Sequence, residues 1–285
     1  MRITTRTAAV AASTIILAGL MAGCATEAEP DSTTSAASAD GPTELVEPGT
    51  LTACMTVGYK PLEYYENGTD GDIIGFDADG ITALAEQWGL EAAFETVAFD
   101  GLVPALQSGR CDVLWSGLYL SEERLAVIDG YPYLSTGPAL AVPEDAAGDY
   151  EDELDLCGAS FATQAGGAIT SIVTTSSEAC EEEGLEAIEI VEYPSPSEAI
   201  ASVLNGRLDG IIETDIALTE MVAATDGLSY VGDVYPAETQ FGAFAQKDSE
   251  MSTFLEEGIT TLLEDGTFAE IAETYGLDVS RLPAS

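Results

Sequence analysis

Strand-like and helix-like segments alternate along this chain, and the alternation starts afresh after about residue 150. No other feature restricts the fold as much, because strand–helix–strand units favour a parallel sheet with helices packed on it. In the first run, "LTACMTV" reads as a strand. "GITALAEQWG" reads as a helix with Ile81, Leu84, Ala85 and Trp88 on one face and Gly89 as its stop. "LEAAFETVAF" is the next strand. "DGLVPALQSG" is a helix with Asp100 as N-cap and Pro104 in the first turn, where no amide donor is needed. "CDVLWSG" is a third strand, apolar enough for burial on both faces. In the second run, "GASFAT" and "LEAIEIVEY" are strands around the helix "GGAITSIVTTSSEA". "SPSEAIASVLNG" is a helix capped by Ser195, with Pro196 first, Glu198 completing a capping box and Gly206 ending it. "LDGIIET" is a strand, and "SEMSTFLEEGITTLLEDGTFAEIAETYGL" reads as two helices.

The halves echo each other, since "ALQSGRCDVLWS" and "VLNGRLDGIIE" share a helix end, Gly-Arg-x-Asp and an apolar strand. That is common turn chemistry, so Arg110 and Arg207 are expected to face solvent or pair with nearby acids. Two α/β units leave a cleft between them. Parallel sheets bind ligands beyond the carboxyl ends of their strands, and clefts between domains are favoured small-molecule sites. Arg124 follows the carboxyl end of "CDVLWS" and so falls near such a cleft. Its place in the first turn of a short helix opposes the helix dipole, so local stability does not account for it. Its planar fork suits a ligand carboxylate; the alternative is an ion pair with one of the chain's many acids. Ser116 and the amides around Gly117 and Ser121 are candidate donors at the same helix start. Tyr59, in "VGYKPLEYY", is a candidate aromatic wall.

Composition narrows the function. The chain has 8 Lys+Arg, 51 Asp+Glu and no His, for a net charge of -43. Such charge repels nucleic acid and anionic membrane surfaces. Without His there is no Ser-His-Asp triad and no His-ligated metal. No cofactor or metal site is expected. Arg2 and Arg6 precede the apolar run "AAVAASTIILAGLMAG", which is short for a membrane span and reads as a signal segment. Its end, "LMAGC", resembles the bacterial lipobox, which makes Cys24 the lipidated residue. The stretch "ATEAEPDSTTSAASADGPTE" then reads as a flexible tether. Cys54, Cys111, Cys157 and Cys180 remain. An even number in an exported chain suggests disulfides, and four cysteines allow three pairings. Cys54 and Cys111 each lie in a strand of the first unit, and Cys157 and Cys180 flank one strand–helix unit, which favours Cys54–Cys111 and Cys157–Cys180.

"GDIIGFDADGITALAEQWGL", "FDGLVPALQSGRCDVLWSGLYLSEERLAVIDGYPY", "VLNGRLDGIIETD" and "FGAFAQKDSEM…LLEDGTFAEIAETYG" resemble, in order, the signatures of family 3 extracellular solute-binding proteins. These are amino-acid receptors of ABC importers, and the resemblance runs from about residue 50 to 278. It implies a type II periplasmic-binding-protein-like α/β fold with two Rossmann-like lobes, joined by hinge strands and closing on a ligand. With the N-terminal reading, the expected layout is a signal peptide over 1–23, a tether over 24–49, a first lobe over 50–138 plus 242–285, and a second lobe over 139–241 that includes the hinge strands. It also implies a monomer that binds a small carboxylated amine outside the cytoplasm, is anchored through Cys24 and meets permease subunits. A dehydratase on the same scaffold, or a module feeding a sensor, are the alternatives.

Residue by residue, Arg124 matches the family arginine that holds the ligand α-carboxylate, and Ser116 matches a first-lobe contact. Tyr59 and Phe99 match positions that flank the ligand. Gly167 and Ala168 follow "QAG", where the family usually has a threonine on the same carboxylate. Tyr119 stands where a small hydroxyl is common. The family's amine acceptor is an Asp five residues beyond the Asp of "GRxD". That position is Thr214, between Glu213 and Asp215, so either Asp215 takes the role by a one-residue shift or the amine is bound differently.

Overall fold

Two five-stranded mixed sheets with flanking helices carry this alternation, in a computed structural model that describes residues 41–232, 234–235 and 239–284. Cys24, the signal segment and the tether as far as residue 40 lie outside the described residues. The first lobe opens with β1 (Thr50–Met55) and a small hairpin, β2 (Tyr64–Tyr65) and β3 (Ile73–Ile74). It continues through α1 (Phe76–Gln87), β4 (Glu91–Thr96), α2 (Leu102–Gln107), β5 (Val113–Tyr119), α3 (Glu122–Leu125) and β6 (Ile128–Thr136). The second sheet begins with β7 (Pro138–Pro143) and continues through β8 (Ser160–Gln164), α4 (Ile169–Glu182), β9 (Glu189–Tyr193) and α5 (Pro196–Leu204). Next come β10 (Gly210–Thr214), α6 (Asp215–Ala223) and β11 (Leu228–Val231). The chain then returns to the first sheet with β12 (Thr239–Gln246), and α7 (Glu250–Glu264) and α8 (Thr267–Thr274) close the lobe.

The strand orders are β4-β1-β5-β12-β6 and β11-β7-β10-β8-β9. Only the strands joined through helices, β4-β1-β5 and β10-β8-β9, pair in parallel. β12 and β7 are antiparallel to both their neighbours. They are reached from the other lobe rather than over a helix, so the parallel expectation fails there. All seven residues of β5 are buried. Trp115 packs between Tyr133 and Phe268 at centroid distances of 4.9 and 5.9 Å, which makes β5 the spine of the first lobe.

Several local expectations need correction. Asp100 does not cap α2; it sits in a 3-10 turn, Phe99–Gly101, and the N-cap is Gly101, with no side-chain bond. Ser195 does cap α5, but the Glu198 carboxylate accepts from the Ser195 hydroxyl at 3.3 Å, within the side chains. Cys111 lies just ahead of β5 rather than in it. Residues 41–49 are not loose: the Val46 amide donates to Asp112 at 2.7 Å, and Thr43 reaches Glu250. Cys54 is bonded to Cys111 and Cys157 to Cys180, each with Cα atoms 5.6 Å apart. Arg110 pairs with Glu95 at the surface, and Arg207 is exposed.

Candidate ligand cleft

The carboxyl ends of four parallel strands meet between the lobes. β1 leads into the loop that carries Tyr59, β5 ends at Tyr119 ahead of Arg124, β8 ends at Gln164, and β10 ends at Glu213 and Thr214. Together with Phe99, Gly117 and the start of α4, these residues line an inner cavity of about 20 Å³, room for one water. Tyr59 and Phe99 stack with centroids 6.2 Å apart and form one wall. A cavity of about 530 Å³ lies next to it and shares Phe99, Tyr119, Arg124, Gly167 and Ala168 as common walls. Val103, Leu118, Leu120, Val127 and Ile172 make this outer cavity partly apolar, while Asp100, Glu122 and Glu123 bring carboxylates to it.

Hydrogen bonds cross from one lobe to the other. The Tyr59 hydroxyl donates to Gln164 Oε1 and lies 3.0 Å from Glu213 Oε2. Arg124 Nη1 donates to the Tyr119 carbonyl at 2.8 Å, and Nη2 donates to the Gly166 carbonyl at 3.0 Å. Gly166 must be glycine: its φ is +78°, and a Cβ there would stand 2.9 Å from the Asp100 Cα of the other lobe. α4 has no side-chain cap at its start, where Gly167, Ala168 and Ile169 line the inner cavity. Its first amides are therefore left for an anion.

Burial sets the electrostatics. The inner cavity has one guanidinium and one carboxyl group in its wall, Arg124 and Glu213, at 8% and 3% exposure. They do not pair with each other among the described residues. Burial lowers the Arg124 guanidinium to about 10, which leaves it charged at neutral pH, and Glu123 partly offsets the shift. Burial lifts the Glu213 carboxyl to about 7, against hydrogen bonds from the Thr214 amide and the Tyr59 hydroxyl. Burial and then the Glu213 charge raise the hydroxyls of Tyr59 and Tyr119 well above the ordinary tyrosine value. Gln164 Nε2 is buried without a partner, and the Tyr119 hydroxyl has no well-formed hydrogen bond, Thr136 being the polar neighbour that acts on it.

Tyr59, Phe99, Gly117, Tyr119, Arg124, Gly167, Ala168 and Thr214 are thus brought together in one wall. Ser116 is not: its hydroxyl accepts from the Thr56 amide at 2.9 Å and donates to Glu63 at 2.7 Å, away from both cavities. The Gly117 amide is taken by Asp77 at 2.8 Å, and the Ser121 amide by the Tyr119 carbonyl, so neither is a free donor. Asp215 points elsewhere as well. It pairs with Arg281 at 2.7 Å and accepts from Thr136 at 2.7 Å, which ties it to the crossing between the lobes. The acid that faces the cavity is Glu213, and Thr214 beside it caps α6 through the Ala217 amide. Glu213 and Gln164 were missed as site residues. The available signal was an acid within "GIIET", a strand otherwise suited to full burial, where an unpaired carboxylate is costly.

Residues 51–278 match the bacterial extracellular solute-binding proteins, family 3. An arginine-binding protein of Corynebacterium glutamicum is 28% identical over 239 residues, covering 83% of this chain and 77% of the relative. An L-cystine-binding protein of Escherichia coli is 24% identical over 241 residues, covering 84% of this chain and 87% of the relative. A solved ancestral arginine-binding protein bound to arginine superimposes with a TM-score of 0.70 at 26% identity, covering 80% of this chain and 98% of that one.

Proposed function

The chain belongs to family 3 of the bacterial extracellular solute-binding proteins, and on that premise we propose that it is the extracytoplasmic receptor of an amino-acid ABC importer. One observation carries the ligand reading: the inner cavity presents one buried cation and one buried anion, unpaired with each other, beside stacked aromatic rings. That is the complement of a zwitterionic α-amino acid. The α-carboxylate is held by Arg124 and the first amides of α4, and the α-ammonium by Glu213 in place of the Tyr59 hydroxyl. The side chain extends into the outer cavity, where apolar walls and the acids Asp100, Glu122 and Glu123 favour a long chain ending in a cation. Arginine-binding relatives agree with this choice. The lobes close on the ligand and offer the closed surface to the permease, as a monomer held to the membrane by lipid on Cys24.

Calorimetric titration with L-arginine tests the site. Arg124→Ala leaves a buried carboxylate without its partner, so affinity is expected to fall about 100-fold or more. Affinity within a few-fold of wild type would sink the assignment. Cys24→Ser is expected to move the protein from the membrane to the soluble fraction; a variant that stays with the membrane rules out that anchor.

A further inference from the structure

Two carboxyl groups behind the cleft wall have no counter-charge. Glu63 and Asp77 are fully buried in the first lobe, at 0% exposure, and neither forms an ion pair among the described residues. Asp77 lies in the first turn of α1, and Glu63 ends the loop that carries Tyr59. Half of their oxygens are accounted for. The Ser116 hydroxyl donates to Glu63 Oε1 at 2.7 Å, and the Gly117 amide and Tyr133 hydroxyl donate to Asp77 Oδ2, each at 2.8 Å. Glu63 Oε2 and Asp77 Oδ1 are buried with no donor. The two side chains bond to consecutive residues of β5, Ser116 and Gly117, and the Asp77 amide bonds to the carbonyl of Leu62, next to Glu63, so the carboxyl groups lie side by side. Adjacent buried carboxylates cannot both ionise. One proton shared by the pair removes the like-charge repulsion.

The pair is also wired to Tyr59. The Glu63 carbonyl accepts from the Gly58 and Tyr59 amides at 3.0 and 2.9 Å, and its amide donates back to the Tyr59 carbonyl at 3.0 Å. The Asp77 amide donates to the Leu62 carbonyl at 2.9 Å. At the other end of the loop, the Thr56 amide donates to Ser116, the residue bonded to Glu63.

We infer that Glu63 and Asp77 hold a single proton between them at neutral pH, with Glu63 donating to Asp77, and that this bond positions the Tyr59 loop. The proton belongs on Glu63, which accepts from Ser116 alone, while Asp77 accepts from both the Gly117 amide and the Tyr133 hydroxyl, donors that favour its ionised form. Burial raises the Asp77 carboxyl, and donation from Tyr133 and Gly117 opposes that rise. The ionisable groups that face the pair are Tyr133 from β6 and Tyr59 from the loop, with the polar Ser116 and Trp115 from β5; no Lys or Arg acts on either acid. The role toward Tyr59 rests on the cleft reading above; the shared proton does not.

Infrared spectra at pH 8 test the proton directly, in a Glu213→Gln background that removes the cleft carboxyl raised to about 7. A carboxylic C=O band is expected, and it should vanish when Glu63→Gln is added. No band in the parent overturns the proposal even if the added variant fails to fold, and an unchanged band in a folded variant does the same. Positioning is read from L-arginine titrations between pH 7 and 10 with Glu213 intact. Once the pH passes the loss of the band, wild-type affinity should fall about tenfold per unit beyond any fall in Glu63→Gln, whose amide keeps the donor. Parallel profiles reject the positioning role. No L-arginine binding at any pH would reject only the ligand reading and leave the infrared result standing.

Discussion

Arg124 and Glu213 sit on opposite lobes and form no ion pair with each other among the described residues. For Arg124 the protonation state is settled at about 10, so it is a fixed cation under ordinary conditions. Glu213, raised to about 7 by burial, is near its switching point. A ligand ammonium favours the ionised form, so binding below pH 7 must expel a proton. Affinity for L-arginine should therefore fall about tenfold per pH unit as the pH drops below 7. Glu213→Gln should bind weakly and lose that dependence, which calorimetry in buffers of different ionisation heat can measure. The sign reverses for stability. The folded carboxyl holds its proton more tightly than the unfolded one, so its contribution is fully present below the unfolded pKa. It is then lost as the pH rises towards about 7, an effect on the order of 3 kcal/mol. A ligand affinity with no pH dependence in wild type would mean that Glu213 does not hold the amine.

α4 has its uncapped start at the cleft and a covalent tie at its far end, where Cys180 is bonded to Cys157 across a separation of 23 residues. Closing a loop of that length restricts the unfolded chain by about 3 kcal/mol. The double substitution Cys157→Ser with Cys180→Ser should lower unfolding stability by about that much in guanidinium; an unchanged midpoint would show that the tie contributes nothing. Elements such as α5 were legible because apolar periodicity, caps and glycine stops are local. The cleft was legible through Arg124 and Tyr59, since each follows a recognisable strand. What could not be read depends on distant partners. All five residues of β10 are buried, so period-two alternation could not say which side Glu213 faces. Asp215 is drawn off by Arg281, a residue 66 positions away whose approach no local pattern announces. Residues 41–49 have a tether's composition, yet Asp112 captures the Val46 amide. The direction of β7 and β12 follows from where the chain crosses between lobes, which strand propensity does not encode.

The two sheets are joined where β6 passes through Gly137 into β7, and where β11 leads back towards β12. Asp215 anchors the first crossing by accepting from the Thr136 hydroxyl and the Gly137 amide while it pairs with Arg281. Away from that anchor, Tyr59 on Gln164 and Glu213, Arg124 on Gly166, and the close approach of Gly166 to Asp100 hold the lobes together. An inner cavity of about 20 Å³ cannot admit an amino acid in this arrangement. On the proposed reading the lobes part for entry, and a ligand that bridges Arg124 to Glu213 would favour the closed arrangement by its differential contacts. Small-angle scattering should therefore show the radius of gyration falling as L-arginine saturates the protein. Asp215→Asn, which weakens the anchor and leaves both cavity charges, should enlarge the unliganded radius while affinity changes less than in Glu213→Gln. A radius unchanged by saturating ligand would remove closure from the mechanism, and an Asp215→Asn loss of affinity as large as that of Glu213→Gln would return the amine contact to Asp215.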